Sequence, residues 1–549
     1  MTAAPIAIIG GGPVGMVLAM NLAAFGVRST LINTEPNSRW HPKGNTHNAR
    51  TMEHYRRLGI SKKLRQVGLP PDHPTDVAYF TTLNGWEMAR HPLPSEREKM
   101  AQVAEAKPTD QVPEPLFRAN QMYVEAELFR HLQTVKLIDA RYGWRCVAIA
   151  QENDGSFKIV IEEVATGRRE ELAARYLVGC DGGHSIVRNW LGIGYRGERP
   201  SEQAFTSGAT LATHVRAPAL YDSVLKRHKR AWHQWAVNPK VRGLIQTLDG
   251  KGDFLFSTRI KTIDAPPDPN YIARTFLACV GEEVPIAFLG HMPWTAGQAA
   301  VAESFGRGNV WLAGDAVHLF TPTGGFGMNT GMDDAANLGW KLAAMVQGWG
   351  GPQLLASYEA ERRPIAFRNT GMAKRFSLDL NEAPVDPVMV EDSTAGAAAR
   401  TRTGEFFARF GEEFASLGIQ LGARYEGSRI LVPDGTAPPK DDPTVYTPSA
   451  CPGGRAPHLF LGRGDSLFDH FGTGFTLLRL GGDVDAGPLA RAAQARGIPF
   501  ASFDVPLRQG RDLYEADLAL IRPDQHVAWR GNRLPDDCDA LLAQVTGWV

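Results

Sequence analysis

Short apolar runs and helix-forming stretches alternate near the start of the chain. An apolar run at Ile6–Ile9 precedes a helix-forming stretch at Pro13–Phe25, and a second run follows at Ser29–Ile32. Apolar runs that are bounded by turn residues and joined through a helix are typical of buried parallel strands. The pattern therefore predicts an opening β–α–β unit and an α/β domain around it.

Helical and strand patterns continue through the first 365 residues. Residues 70–115 are rich in proline and charge, which predicts loops with an inserted hairpin. A long helix is predicted after residue 327, because small and apolar residues recur there at helical spacing from Met332 to Val346. The other predicted helices are Ala49–Leu58 and Asn120–Val135, and the predicted strands are Val147–Ile149, Phe157–Glu162, Ala174–Gly179 and Asn309–Ala313.

Between residues 204 and 295 the pattern changes to the alternation of a half-buried sheet, with few good helices. This change predicts a separate, mostly antiparallel β domain. Its predicted strands are Phe205–Val215, Ala231–Val237, Gly243–Leu248 and Asp253–Ile260.

A second change of pattern comes near the end of the chain. The segment from Pro433 to Pro452 carries six prolines and predicts a linker between domains. Strands are predicted beyond it at Phe475–Leu480, Phe500–Phe503 and Ala516–Ile521, around a helix at Ala486–Arg496. This order predicts a small α/β domain.

Composition narrows the class of protein. The chain has 549 residues, too many for one core, and its 59 basic and 59 acidic residues balance. No basic run predicts a nucleic-acid or membrane partner, and no segment reads as a signal peptide or a membrane span. The five cysteines show no CxxC or zinc spacing. We expect a reduced, cytoplasmic protein without a metal site.

The turn after the first strand carries the first chemical signal. Gly10, Gly12 and Gly15 form a GxGxxG pattern between a strand and a helix, with Pro13 opening the helix. The glycines permit a tight turn, close approach of a pyrophosphate and close helix packing, and the helix N-terminus attracts phosphate. An acidic residue usually ends the second strand and binds a ribose. Asn33 stands at that place, with Glu35 two residues later.

Further motifs combine with this turn into a family resemblance. They are GGGPVG at 10–15, CDGGHSIVR at 180–188, AGDAVH at 313–318 with PTGGFGMNTGMDDAANLGWKL at 322–342, and YEAERRP at 358–364. The chain resembles, over essentially its full length, the flavoprotein aromatic hydroxylases of the para-hydroxybenzoate hydroxylase class. It is most similar to the larger members, such as phenol hydroxylase and the 3-(3-hydroxyphenyl)propionate hydroxylases.

The resemblance implies an α/β fold in several parts. A Rossmann-like FAD-binding domain would comprise residues 1–75, 105–195 and 300–395, with a mostly antiparallel β substrate domain of residues 76–104 and 196–299 inserted. Residues 396–440 would form a helical connector and residues 441–549 a thioredoxin-like domain. That domain lacks a CxxC pair, so a packing or dimer-stabilising role in a homodimer is expected instead of thiol exchange.

The resemblance also implies which residues bind FAD, without a covalent link. Asp315 would bind the ribityl chain, its other interpretation being a turn-capping aspartate. Asp181 and Gly182 would touch FAD and the nicotinamide pyrophosphate, and Arg188 is either a phosphate partner or a salt-bridge residue. Arg50 and Gln121 are similar to flavin-contacting positions, with surface helix residues as the alternative. His318 is expected to be a structural neighbour of the aspartate. The turn residues expected beside the isoalloxazine ring are Pro322, Gly324, Gly325, Gly327, Met328 and Asn329.

The implied reaction is hydroxylation of a phenolic compound. NADPH or NADH would reduce FAD, O2 would add at flavin C4a, and the hydroperoxide would transfer an OH⁺ equivalent to an electron-rich ring. The glycine N–H groups after Pro322 would face the developing charge. A base for the phenol proton helps, and His47 is the first candidate, with Asn45 as a hydrogen-bonding second. The alternative for His47 is a loop histidine at the surface.

Other substrates and activities stay open at this point. His233 and Trp235 share a strand face opposite Trp232 and are candidates for an aromatic pocket, with sheet packing as the other interpretation. On the same scaffold the substrate could be a polycyclic or polyketide compound, by hydroxylation or Baeyer–Villiger oxygenation. A halogenase, a geranylgeranyl-reductase-like enzyme and a non-enzymatic flavin protein are weaker alternatives. No GxSxG or HExxH motif supports a hydrolase.

Overall fold

The first part of the chain builds a parallel sheet with helices around it. In the computed structural model, the described residues are 4–38, 40–198, 208–265, 268–296, 298–481 and 484–549. The elements up to residue 198 are β1 Ile6–Ile9, α1 Pro13–Ala24, β2 Ser29–Asn33, α2 Ala49–Arg57, α3 Ser61–Leu64, β3 Val77–Phe80, β4 Glu87–His91, α4 Glu96–Ala104, α5 Gln121–Leu132, β5 Ile138–Tyr142, β6 Trp144–Gln151, β7 Phe157–Glu163, β8 Arg169–Ala174, β9 Tyr176–Gly179, α6 Ile186–Trp190 and β10 Tyr195–Glu198.

The middle part adds a second sheet and then the longest helices. Its elements are β11 Gly208–Arg216, α7 Ala219–Ser223, β12 His233–Val237, β13 Arg242–Thr247, β14 Asp253–Arg259, α8 Pro269–Val280, β15 Ala287–Ala296, β16 Ala299–Ala302, β17 Gly306–Arg307, β18 Val310–Leu312, β19 His318–Leu319, α9 Phe326–Gln347, α10 Ala356–Asn381, α11 Thr394–Ala408 and α12 Leu417–Leu421. Short 3-10 helices lie at Leu225–Arg227, Gly314–Ala316, Thr323–Gly325, Pro387–Val390 and Arg409–Glu413.

The last part is a small sheet flanked by helices. Its elements are β20 Phe460–Gly462, β21 Asp465–Ser466, β22 Phe475–Arg479, α13 Gly487–Ala495, β23 Phe500–Asp504, α14 Arg508–Tyr514, β24 Leu518–Ile521, β25 Val527–Gly531 and α15 Cys538–Val545, with a 3-10 helix at Leu467–His470. The proline-rich segment lies between α12 and β20.

The predicted β–α–β unit is confirmed. In the described chain, β1 is paired in parallel with both β2 and β9, in the sheet order β17-β18-β9-β1-β2-β5. Strands β1 and β9 are buried throughout, and their sequences are accordingly continuous apolar runs. The carboxyl ends of β1, β9 and β18 meet at one edge, which is where ligands bind in open α/β sheets.

The predicted antiparallel sheet is also confirmed, with additions. Among the described residues its order is β15-β11-β14-β13-β12-β3-β4, so the early hairpin β3–β4 joins it through a parallel β12–β3 pair. Residues 205–207 of the first predicted strand lie outside the described residues. Helix α8 covers one face through Ile272, Phe276 and Val280. Helices α4 and α8 were not predicted.

The C-terminal sheet has the order β23-β22-β24-β25 in the described chain, with β22–β23 parallel and the other pairs antiparallel. This confirms the predicted thioredoxin-like α/β domain and adds β25, α14 and α15. Within the described residues, no helix combines the length and the apolar character that crossing a bilayer requires.

Candidate functional site

The glycine-rich turn between β1 and α1 leaves backbone open at the start of a helix. Gly10 has φ +108°, and a Cβ there would lie 2.3 Å from the carbonyl oxygen that follows β9. A Cβ on Gly12 would meet no atom within 4 Å. In the described chain no side chain caps α1, so the N–H groups of Val14 and Gly15 lack a capping partner. This geometry fits an anionic group such as a pyrophosphate.

The end of β2 is arranged differently from the expected acidic residue. The Asn33 Oδ1 accepts a hydrogen bond from the Gly11 N–H at 3.0 Å, and its Nδ2 lies 3.4 Å from the Glu35 carbonyl oxygen. Asn33 therefore orders the glycine-rich turn between β1 and α1. The Glu35 side chain is exposed beside it, which leaves a carboxylate at the end of the second strand after all.

Asp315 lies beside the N-terminus of α1. It follows β18 in the short helix Gly314–Ala316, and its side chain is exposed. Within the described residues its carboxylate makes no hydrogen bond. Gly314 has φ +64°, and a Cβ there would lie 3.1 Å from the Val14 side chain. The structure thus brings together a carboxylate without a partner among the described residues and the glycine-rich turn between β1 and α1.

A second aspartate holds this loop from inside the protein. Asp334 accepts a hydrogen bond from the Gly314 N–H at 3.1 Å, and its carboxylate contacts His318 Nε2 at 2.7 Å and Arg362 Nε at 2.9 Å. Burial would raise the pKa of Asp334, yet the charges of His318 and Arg362 keep it below its ordinary value. His318 is fully buried, as expected for a structural neighbour of the Gly-Asp loop. Sequence reasoning did not identify Asp334 or Arg362 as its partners.

The Asp181-Gly182 segment follows β9 and lies at the same edge of the parallel sheet. The Asp181 carboxylate accepts from Ser185 Oγ at 2.5 Å and Ile186 N at 2.7 Å, and burial raises its pKa. Arg188 stacks on the Tyr195 ring at 4.1 Å and donates to the Tyr195 hydroxyl at 2.8 Å. Since Arg188 forms no ion pair with a described residue, the salt-bridge interpretation finds no support.

The glycine turn before α9 is fastened to the loop at residues 45–48. Gly324 and Gly325 have φ of +76° and +65°, and a Cβ on Gly325 would lie 3.1 Å from the Thr46 side chain. Asn329 Nδ2 donates to the Thr46 carbonyl oxygen at 2.9 Å, while its Oδ1 accepts from the Asn48 N–H at 2.9 Å. Asn329 therefore ties the two segments together. Pro322 is exposed, and Gly327 and Met328 are half-buried.

His47 lies inside the protein. Its side chain is fully buried between the rings of Tyr55 and Phe117, and its Nδ1 is 3.5 Å from the Tyr55 hydroxyl. Burial lowers the pKa of His47 to about 3. The surface interpretation is therefore wrong, and a role as the base stays a prediction. Asn45 instead links the loop to Gln246 of β13 through a side-chain hydrogen bond.

Arg50 and Gln121, the two residues expected to contact the flavin, differ in their surroundings. The Arg50 guanidinium donates to Glu53 Oε2 and Gln525 Oε1, each at 2.7 Å, and to the Asp524 carbonyl oxygen at 2.6 Å. It thus contacts the C-terminal domain, and the expected contact with the flavin stays a prediction. Gln121 stays half-buried at the start of α5, where its N–H donates to the Gly44 carbonyl oxygen at 2.7 Å.

Aromatic residues cover the face of the antiparallel sheet that points toward α10 and α11. The Tyr79 ring stacks on Phe407 with centroids 4.0 Å apart, and Trp235 lies on its other side at 6.3 Å. His233 stacks on Trp232 at 3.5 Å, and burial lowers its pKa well below the ordinary value. Trp232 directly precedes the regular strand β12 and belongs to the same apolar cluster as Trp235. The expected pocket role of His233 and Trp235 stays a prediction.

Two clefts lie beside the glycine turn and the connector. The inner cleft is narrow and is bounded by loop 45–48, the glycine turn and Arg118. The outer cleft, of about 430 Å³, lies between α10 and residues 406–413. Glu413 lines both. Neither Arg118 nor Glu413 was singled out from the sequence, because only folding brings them to the turn.

Comparison with known proteins identifies the family. Residues 3–373 match the family described as FAD binding domain, and residues 449–549 match the family described as aromatic-ring hydroxylase, C-terminal. The FAD-dependent monooxygenase apdD of Emericella nidulans is 31% identical, over 99% of this chain and 90% of its own length. A putative polyketide hydroxylase of Streptomyces halstedii is 30% identical, over 96% of this chain and 93% of its own.

Solved structures agree with these relatives. The structure of RebC soaked with chromopyrrolic acid, with bound 7-carboxy-K252c, matches with a TM-score of 0.89 and 33% identity, covering 100% of this chain and 99% of that one. The fold, the glycine-rich turn between β1 and α1, and the loop that carries Gly314 and Asp315 all agree with the family match. The chain belongs to the class A flavoprotein aromatic hydroxylases and is an FAD-dependent monooxygenase.

Proposed function

We propose that this enzyme hydroxylates a hydroxyl-bearing polycyclic aromatic compound, with O2 and with NADH or NADPH as the electron donor. The observation that carries the proposal is the outer cleft, which is lined by Phe376, Phe406 and Phe410 and lies beside the aromatic wall of Tyr79, Trp235 and Phe407. FAD, when bound, supplies the chemistry that activates O2 for transfer to the ring. The protein must position that ring, adjust its ionisation and exclude water.

FAD fits the edge where β1, β9 and β18 end. In this proposal Gly10, Gly12, Pro13, Gly15 and the α1 N-terminus hold the pyrophosphate, because their backbone is open to it. Asp315 binds a hydroxyl of the ribityl chain with a carboxylate that no described residue occupies. Glu35 binds the ribose in place of Asn33, because the Asn33 side chain already accepts a hydrogen bond from the Gly11 N–H. Asp181, Gly182 and Arg188 border the same edge.

The glycine turn would then lie against the flavin ring. Gly324, Gly325 and Gly327 present backbone without side chains, and Pro322 begins the turn. Asn329 contributes by fixing the turn to Thr46 and Asn48. Arg50 is left out of the flavin site, since its donors are occupied by Glu53 and the C-terminal domain.

The clefts favour a substrate larger than a single phenol ring. The outer cleft of about 430 Å³ is within the range of small-molecule sites and is lined by Phe376, Phe406 and Phe410. The inner cleft is much narrower and lies beside the glycine turn, with Glu413 common to both. A planar fused-ring substrate in the outer cleft, with its hydroxylated ring toward Glu413, fits this arrangement. The names of the relatives, which include a polyketide hydroxylase, support the same size class.

A panel of acceptors tests the proposal directly. Purified FAD-loaded enzyme is mixed with phenol, naphthols, hydroxyanthraquinones and polycyclic ketones, and NADH or NADPH oxidation and O2 uptake are followed. We expect a polycyclic phenol to accelerate cofactor oxidation strongly and to yield a product that carries one atom of oxygen from labelled O2. Single-ring phenols should be poorer acceptors.

The panel also separates the alternatives. Turnover of a ketone to an ester or lactone, with no product from any phenol, would favour Baeyer–Villiger oxygenation and contradict hydroxylation. Equal turnover of phenol and of the fused-ring phenols would contradict the size argument while leaving hydroxylation in place.

A further inference from the structure

Glu413 lies where the two clefts meet, although it is far from the glycine turn in sequence. It ends the short helix Arg409–Glu413, which follows α11 in the connector. Its half-buried side chain lines both the inner cleft and the outer cleft. Glu413 therefore lies between the outer cleft and the glycine turn.

One oxygen of this carboxylate is fixed and the other is available. Oε1 accepts a hydrogen bond from the Gly324 N–H at 2.9 Å. Within the residues that the structure describes, Oε2 accepts no hydrogen bond and forms no ion pair. A carboxylate held at one oxygen keeps a defined orientation, so its second oxygen presents an acceptor at a fixed place beside the turn.

The surroundings make this carboxylate more basic than one in water. Burial raises the pKa of Glu413, while the Gly324 N–H and the charge of Arg118 lower it by less. Arg118 is itself held, because its guanidinium donates to Thr46 Oγ1 and lies 4.4 Å from the Trp232 ring centroid. The buried Tyr79 phenol on the aromatic wall also senses the charge of Glu413, which raises the pKa of Tyr79 further. Glu413 thus lies between the aromatic wall and the glycine turn.

We propose that Glu413 is a catalytic residue that accepts the proton of the substrate hydroxyl group. This inference rests on the proposed function, since it needs an aromatic ring in the outer cleft whose hydroxyl group faces Glu413. The substrate O–H bond breaks, its electron pair stays on the substrate oxygen, and the proton forms a bond to Glu413 Oε2. The phenolate donates charge into the ring, and the proton returns to that oxygen when the product leaves.

The variant Glu413→Gln isolates this step, because a glutamine carbonyl can still accept from the Gly324 N–H. We expect it to keep its FAD and its unfolding temperature but to lose roughly 10²- to 10⁴-fold in the rate of hydroxylation, the range of general acid–base catalysis. The loss should shrink across ring-substituted acceptors of falling pKa, since a substrate that is already ionised needs no base. Glu405→Gln on the exposed side of α11 is the matched control and should behave as wild type.

The outcomes separate this inference from the proposed function. If wild type hydroxylates polycyclic phenols and Glu413→Gln does so at the same rate for every acceptor, Glu413 is not the base and the proposed function stands. A constant loss that ignores the acceptor pKa would show a positioning effect and also overturn the base. If wild type hydroxylates no phenol at all, both fail. Glu413→Ala, which also removes the bond to Gly324, should lose more than Glu413→Gln.

Discussion

Two aspartates near the cofactor edge show how burial decides the role of a residue. Asp315 is exposed and without a partner among the described residues, whereas Asp334 is fully buried and bonded to Gly314, His318 and Arg362. The first is therefore available to a ligand, and the second supports the loop that carries the first. Replacing each aspartate by asparagine should therefore affect different properties, FAD binding for Asp315 and stability for Asp334.

Asp315→Asn should weaken FAD binding without weakening the apoprotein. A hydrogen bond to a charged group contributes about 1.5–3 kcal/mol, which corresponds to roughly 10- to 150-fold in Kd. Flavin fluorescence titration measures the Kd, and thermal unfolding of the apoprotein measures its stability. Retention of stoichiometric FAD at wild-type affinity would contradict the assignment of Asp315.

Asp334→Asn is the matched comparison. It removes the nearer of the two carboxylate partners of buried Arg362, and breaking a buried pair costs about 3–5 kcal/mol. We expect lower stability of the apoprotein itself, with FAD loss as a consequence. An Asp334→Asn protein as stable as wild type would show that the Gly-Asp loop is held by other contacts.

Residue roles were predictable where the chemistry is local. The glycines at 10, 12 and 15 are adjacent to the strand and helix that they serve, so the sequence pattern contains the whole motif. His47 and Arg50 were placed by resemblance, and their side chains turn to Tyr55 and to Gln525 because of contacts made by distant segments. Glu413 could not be found from sequence, since only folding brings the connector to Gly324.

Helix packing explains another part of the glycine-rich motif. Helix α9 lies against α1, and a Cβ on Gly331 would lie 2.6 Å from Val14 Cγ2 and 3.1 Å from Gly314 Cα. A Cβ on Gly339 would lie 3.0 Å from Asn21. The spacing of the two glycines therefore sets how closely α9 approaches α1.

Gly331→Ala should lower stability by about 1–3 kcal/mol through overpacking, even though alanine is the better helix former. Val14→Ala removes the nearest atom, so the double variant should regain part of the loss. Gly371→Ala on α10 is the control, because its Cβ would meet nothing within 4 Å and should add about 0.5–1 kcal/mol. Equal unfolding temperatures for Gly331→Ala and Gly371→Ala would refute the packing argument.

Elements that were missed carried signals in the sequence. Helix α4 begins with a capping box, in which Ser95 and Glu98 bond to each other's backbone. Helix α8 begins with Asp268 as N-cap and Pro269 at its first position, and ends at Gly281 with φ +82°. Both were read as part of loop or strand regions because charge and β-type alternation dominate their surroundings. Capping residues would have been the better guide there.

At the scale of the whole molecule, buried ion pairs join the C-terminal domain to the helices behind the cofactor edge. Glu361 of α10 accepts from Lys341 Nζ at 2.6 Å and from both terminal nitrogens of Arg522 at 2.6 and 2.8 Å. Arg455 of the C-terminal part pairs with Glu53 of α2 in the same way. These charged residues are fully buried. Removing either partner of a pair would therefore leave the other as an uncompensated buried charge.

The pH dependence of stability tests this connection. Burial would raise the pKa of Glu361, but the charges of Arg522 and Lys341 lower it to about 2. A carboxyl whose pKa is lowered on folding stabilises the protein above its unfolded pKa of about 4.3, and this contribution disappears as pH falls toward the folded pKa. Glu361→Gln should therefore be less stable than wild type by about 3–5 kcal/mol at pH 7.

The difference between Glu361→Gln and wild type should then shrink as the pH falls below about 4.3, because wild type loses its own charge there. Denaturant midpoints at a series of pH values measure it, and Glu405→Gln, with an exposed carboxyl, should track wild type throughout. A gap that stays constant down to pH 3 would mean that the charge of Glu361 does not hold the domains together. The shape and polarity of its side chain would then account for the loss, and the C-terminal domain would be held by its apolar contacts instead.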